Sequence, residues 1–133
     1  MNLRIMILED DPAMSFFIQA LLEDHFELVQ ARSSLEGWQQ ITDGPEFDLI
    51  ILDLSLPEWD GATFLTQLRA SEFFGHIPVV VLDNQADKAC LGQCIELGVT
   101  AVFEKPFNPQ KFKNKIQQVL QVSLKSKDAC LDN

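Results

Sequence analysis

The sequence predicts an α/β protein in which five strands alternate with five helices, (βα)5, to give one parallel sheet wound on both faces. Three observations predict it. Short apolar runs of strand length recur five times, at Leu3–Leu8, Phe26–Gln30, Leu49–Leu52, Ile77–Leu82 and Thr100–Phe103. Amphipathic stretches of helical length separate them, which is the pattern of βαβ crossovers. The run Ile50-Ile51-Leu52 lacks polar alternation, as expected of a strand covered on both sides.

The helix starts are legible. Asp11 before Pro12 caps the first helix, and Asn108 before Pro109 repeats the device for the last. Gly61 after Asp60 marks the return from the third strand into its helix. Gly98 after Ile95 and Leu97 reads as a helix stop. A tail open to fraying is expected from about Ser123, so the boundaries are 1–122 for the domain and 123–133 for the C-terminal tail.

With 133 residues, 47% of them apolar, the chain can build one core and not two of ordinary size. A formal charge of -10 repels nucleic acid and anionic membranes. The basic residues gather only near the end, at Lys111, Lys113, Lys115, Lys125 and Lys127, as a solvated helix face rather than a nucleic-acid surface. No apolar run is long enough for a membrane span, and Met1–Leu8 reads as a strand instead of a signal sequence, so a cytoplasmic protein is expected. Cys90, Cys94 and Cys130 have no zinc-like spacing and are expected to be free thiols.

In an open parallel sheet, ligands bind beyond the carboxyl ends of the strands. Here those ends read Glu9-Asp10-Asp11, Asp53, Asp83-Asn84 and Glu104-Lys105-Pro106. Carboxylates gathered at one place repel one another unless a hard cation joins them, which implies Mg²⁺. One carboxylate serving as nucleophile, with a lysine opposite, then makes a phosphoryl-transfer centre.

Three fragments carry a resemblance: Leu-Glu-Asp-Asp-Pro at the first strand end, Asp-Leu-Ile-Ile-Leu-Asp-Leu-Ser-Leu-Pro-Glu-Trp-Asp-Gly around Asp53, and Glu-Lys-Pro-Phe at 104 to 107. In this order the chain resembles the receiver domains of two-component response regulators, over about residues 3 to 122. The resemblance implies a flavodoxin-like doubly wound sandwich with strand order 2-1-3-4-5. It implies that Glu9 and Asp10 hold Mg²⁺ (or Mn²⁺), that Asp53 is both ligand and phosphoryl acceptor, and that the Ser55 backbone carbonyl completes the protein ligands. Lys105 would pair with a phosphoryl oxygen. A histidine kinase or phosphotransfer protein would be the donor, and a downstream protein the receiver of the signal.

Three positions depart from that family. Its fourth strand ends in a Thr or Ser followed by a small residue, whereas this chain has Asp83 and Asn84. An ionised carboxylate cannot donate the hydrogen bond that the hydroxyl gives. Where the family carries a Tyr or Phe, three residues before the lysine, this chain has Val102. Asp83 is open to three readings: a fourth carboxylate that strengthens cation binding, a fixed charge imitating the modified state, or an outward side chain without a role. On charge counting, it is expected to limit how fully the phosphorylated state is stabilised. Asn84 is open to two readings: an amide donor in place of the lost hydroxyl, or a bulk that hinders attack by water on the acyl phosphate.

The expected function is a phosphorylation-controlled interaction module, not an enzyme, with no output domain of its own. The alternative is a pseudo-receiver that binds protein without phosphorylation. A flavin protein is disfavoured because Glu9-Asp10-Asp11 would repel a phosphate group. A Mg²⁺-dependent phosphatase needs a lid, and residues 54 to 60 are short for one.

Overall fold

The structure, a computed structural model, describes the backbone of residues 3–132 and the side chains of residues 3–121. In chain order the elements are β1 (Arg4–Leu8), α1 (Pro12–Leu22), β2 (Glu27–Ala31), α2 (Ser34–Asp43), β3 (Leu49–Asp53), α3 (Gly61–Ala70), β4 (Val79–Asp83), α4 (Lys88–Glu96), β5 (Ala101–Glu104) and α5 (Pro109–Asp132). The five strands are parallel in the order β2-β1-β3-β4-β5. The backbone of residues 123–132, where a tail was expected, continues α5 to Asp132, and the side chains there, Lys125, Lys127 and Cys130 among them, lie outside the described side chains.

Strand periodicity divides the core in two. Met6, Leu8, Ile50, Leu52, Val79 and Val81 face α2, α3 and α4, where Ile41, Phe64, Leu65, Leu68, Cys90 and Cys94 cover them. Ile5, Ile7, Leu49, Ile51, Val80 and Leu82 face α1 and α5, which contribute Ile18, Leu22, Phe112 and Ile116. Right-handed crossovers produce this split, because β1 to β2 runs one way along the sheet and β2 to β5 runs the other. Each fully buried side chain in these layers contributes about 2 kcal/mol of hydrophobic stabilisation.

The caps behave as their residue types require. Asp11 accepts the Ala13 N–H at 3.0 Å, Asp60 accepts that of Thr63 at 2.8 Å, and Asn108 accepts that of Lys111 at 2.9 Å. Gly61 must lack a Cβ, since one there would stand 2.9 Å from the Leu54 Cα. Gly98 sits past the end of α4 at φ +86°. Cys90 and Cys94 are free and buried, and burial pushes both thiols up, Cys94 to about 12. Such thiols are poor nucleophiles and poor ligands.

Strand boundaries differ from expectation by one or two residues. β4 starts at Val79 instead of Ile77: the Ile77 N–H closes a turn on Phe74 O, and Pro78 has no N–H to give. At the other end Asp53, Asp83 and Glu104 belong to the strands themselves, each held in register.

Candidate functional site

Because successive residues of a strand point to opposite faces, register decides which strand-end charges can meet. Asp53 pairs with Leu82, so it shares the α1/α5 face with Ile51 and Leu82. Glu9 comes one residue after Leu8, which faces the other layer, and Lys105 comes one residue after Glu104, the partner of Asp83. Glu9, Asp53 and Lys105 therefore turn to the same side. This is the carboxyl end of β1 and β3, where the chain reverses its direction along the sheet.

Carboxylate oxygens of Glu9, Asp10 and Asp53 lie within 4.8 Å of one another. Glu9 and Asp53 are 1% and 2% exposed, and Asp10 is open to solvent. The Lys105 ammonium donates to Glu9 Oε1 at 2.6 Å and stands 3.5 Å from Asp53 Oδ2. The Ser55 N–H donates to Asp53 Oδ1 at 3.2 Å. The Lys105–Pro106 peptide bond is cis.

The electrostatics follow from burial. Desolvation, reinforced by the neighbouring Asp53, pushes the Glu9 carboxyl up to about 8 against the pull of Lys105. Burial also works against the Lys105 cation, yet its hydrogen bond to Glu9 and the charges of Asp53 and Glu9 outweigh that and raise its pKa. One ammonium is left to balance three carboxylates. A set of carboxylate oxygens with neither thiol nor imidazole suits a hard divalent cation that keeps part of its water shell. The residues present thus fit Mg²⁺ or Mn²⁺.

Asp83 does not join this group. Its register partner is Glu104, so it projects to the α3/α4 layer, 3% exposed, and its Oδ1 accepts the Gln85 N–H at 2.8 Å. That bond closes an Asx turn and supports Gln85 at φ +66°. The side chain is thus neither a fourth carboxylate of the cluster nor turned outward. Its charge therefore does not count with those of Glu9, Asp10 and Asp53, because the carboxylate is engaged by the Gln85 N–H and stands outside the group of oxygens within 4.8 Å of one another. With Gln85, Lys88, Leu91, Gly92, Ile95 and Glu104 it lines a cavity of about 340 Å³ beside α4.

Asn84 does turn to the site's rim. Its Nδ2 donates to the Ser55 hydroxyl at 3.0 Å, tying the loop after β4 to the loop after β3. Its Oδ1 accepts the Ala86 N–H at 3.0 Å. Val102, in β5 beside Val81, is 36% exposed and has no ring to move inward. Two contributors had no place in the sequence reading. Ser34 is buried beneath the loop after β3, and the doubled Ser33-Ser34 at a helix start, where one cap suffices, was its only signal. Arg69, at the opposite edge, gave no motif at all.

With this geometry in hand, comparison with known proteins is informative. The family model of the response regulator receiver domain matches residues 5–117. The chain belongs to the response-regulator receiver family. This receiver is 25% identical over 120 residues to a chemotaxis protein CheY homolog of Campylobacter jejuni, covering 89% of this chain and 92% of that protein. A CheY-like receiver domain protein from Methanospirillum hungatei shares the fold with a TM-score of 0.85 at 24% identity, over 95% of this chain and 99% of that one. The Mn²⁺-bound form of response regulator Rcp1 is 27% identical with a TM-score of 0.74, over 87% of this chain and 90% of that one. Among the described residues, no helix of the receiver is long and apolar enough to cross a membrane.

Proposed function

We propose that this receiver accepts a phosphoryl group on Asp53 from a histidine kinase or phosphotransfer protein and signals by binding a downstream protein, without being an enzyme in its own right. The observation that carries the reading is the placement of Asp53, a buried carboxylate at the end of β3 with Glu9 and Asp10 beside it and Lys105 Nζ 3.5 Å away. An Asp53 oxygen attacks phosphorus and forms an acyl phosphate. The P–N bond to the donor imidazole breaks, and its electron pair stays on the leaving nitrogen. Lys105 offers its ammonium to an incoming phosphoryl oxygen, which requires it to loosen from Glu9. Glu9, Asp10 and Asp53, with the Ser55 carbonyl, would hold Mg²⁺ or Mn²⁺. When bound, that cation supplies positive charge against the phosphoryl oxygens. That Rcp1, a related response regulator, has a Mn²⁺-bound form supports a divalent cation as the ligand of this receiver.

A second reading rests on its own observation. Asp83 stands where the family has a hydroxyl and points to the other face, so the usual donor to the phosphoryl group is absent. A pseudo-receiver that binds protein without phosphorylation would have this feature. The two readings part in one experiment. Incubation with Mg²⁺ and acetyl phosphate should add one phosphoryl group by intact mass, and EDTA should prevent it. An unlabelled protein under every small donor and with an authentic histidine phosphotransfer protein would favour the pseudo-receiver.

A further inference from the structure

Ser34 is the first residue of α2, 0% exposed, and its hydroxyl does not serve its own helix. Ser33 already does that, accepting the Glu36 N–H at 3.2 Å. The Ser34 hydroxyl instead donates to Pro57 O and accepts the Trp59 N–H, both at 2.8 Å, across 23 and 25 residues of chain. Pro57 and Trp59 flank Glu58, whose φ of +76° is costly for a residue with a Cβ. Trp59 also meets Trp38 of α2 edge-on, at 6.4 Å between ring centroids. This loop runs from Asp53 to Gly61, and Ser55 within it touches the site twice, through its N–H on Asp53 and its hydroxyl under Asn84.

The Trp59 N–H also closes this turn on Pro57 O at 3.1 Å, and a buried hydroxyl whose donor and acceptor are both spent on the same turn, at the point where the loop is strained, braces that conformation from outside. We propose that Ser34 is a positioning residue: it clamps the loop after β3 from the α2 side and so holds Ser55 against the carboxylate cluster. It touches no reacting atom. The inference rests on the phosphoryl-acceptor reading for its consequence, though not for the clamp itself.

The test compares Ser34→Ala with Ser33→Ala in the full chain. The second variant removes the α2 cap and leaves both loop hydrogen bonds in place, so it controls for lost stability. Hydrogen exchange of the Ser55 to Trp59 amides reads the clamp without any metal. Mg²⁺ affinity, followed by tryptophan fluorescence, reads its consequence. Ser34→Ala should speed exchange in this loop and weaken Mg²⁺ binding by roughly tenfold, the low end for a group that orients a ligand. Labelling by acetyl phosphate should slow at low Mg²⁺ and recover at saturating Mg²⁺. Ser33→Ala should lower thermal stability and change neither the loop exchange nor the affinity. If the two variants alter loop exchange equally, or if Ser34→Ala leaves it at the wild-type rate, the clamp is wrong. If wild type takes no phosphoryl group while Ser34→Ala still frees the loop, the clamp stands and the acceptor reading fails.

Discussion

The two edges of the sheet handle charge in opposite ways. At the amino edge of β4 and β5, one guanidinium meets a full set of fixed acceptors: Arg69 donates to Gly75 O at 2.9 Å, Ile77 O at 2.7 Å, Leu97 O at 3.2 Å and Gly98 O at 2.8 Å. Burial lowers its pKa, but the carbonyl dipoles surround it. At the start of β1 the backbone N–H of Arg4 donates to Asp48 Oδ2 at 2.8 Å. At the carboxyl edge three carboxylates share one ammonium, and burial, reinforced by the neighbouring Asp53, pushes Glu9 up to about 8. Charge that the chain satisfies internally supports the fold. Charge left in excess calls for something from outside, and only the second arrangement makes a site.

Removing the satisfied charge should therefore cost the most stability and the least function. Arg69→Met strips four carbonyls of their donor and should lower unfolding free energy by about 3 kcal/mol, read by urea denaturation. Mg²⁺ affinity should stay at the wild-type value. A large loss of affinity would mean that the two edges are coupled and the contrast false.

The unsatisfied edge should show the reverse sign in its pH dependence. In the fold Glu9 takes up its proton at about 8, well above its ordinary value near 4.5, so over that window the folded state binds more protons than the unfolded one. Its ionisation thus destabilises: the Glu9 contribution is most favourable at acid pH and is lost as pH rises through about 8. In EDTA, Glu9→Gln should remove this slope and raise stability at pH 8 by about 2 kcal/mol. Saturating Mg²⁺ should flatten the wild-type slope, because a cation among the carboxylates favours the ionised form. Denaturation curves at pH 5.5 and pH 8, roughly spanning that window, check both statements.

A smaller effect separates the two faces of the same strand ends. Asp10→Asn should weaken Mg²⁺ binding by about tenfold, as expected for a direct ligand or its close neighbour. Asp83→Asn keeps the acceptor for the Gln85 N–H and should change the affinity less than about twofold. Equal losses would return Asp83 to the cluster from which its register removes it.

What the sequence could reveal follows the same physics. The five strands, their caps and the doubly wound arrangement are local patterns, and each was legible because period, capping chemistry and turn residues act over a few positions. Asp53 could be picked out because an acid behind a buried strand has no apolar reason to be there, and the family resemblance singled out Glu9, Asp10 and Lys105 among the other charged strand ends. Asp83 looked the same in one dimension. Its face depends on the register between β3 and β4, which tertiary packing sets and no single strand encodes. Ser34 and Arg69 escaped for a related reason: Ser34 meets its partners 23 and 25 residues away, two of the four Arg69 acceptors lie 28 and 29 residues away, and neither residue type announces such a contact.

The central claim is that Asp53 is the acceptor, and site mapping tests it most directly. After reaction with acetyl phosphate and Mg²⁺, peptide mass analysis of borohydride-trapped wild type should find the modified aspartate at position 53. Asp53→Asn, shown to be folded by its denaturation curve, should carry no label. A label at Asp10 or Asp83 in wild type, or undiminished labelling of Asp53→Asn, would contradict the account.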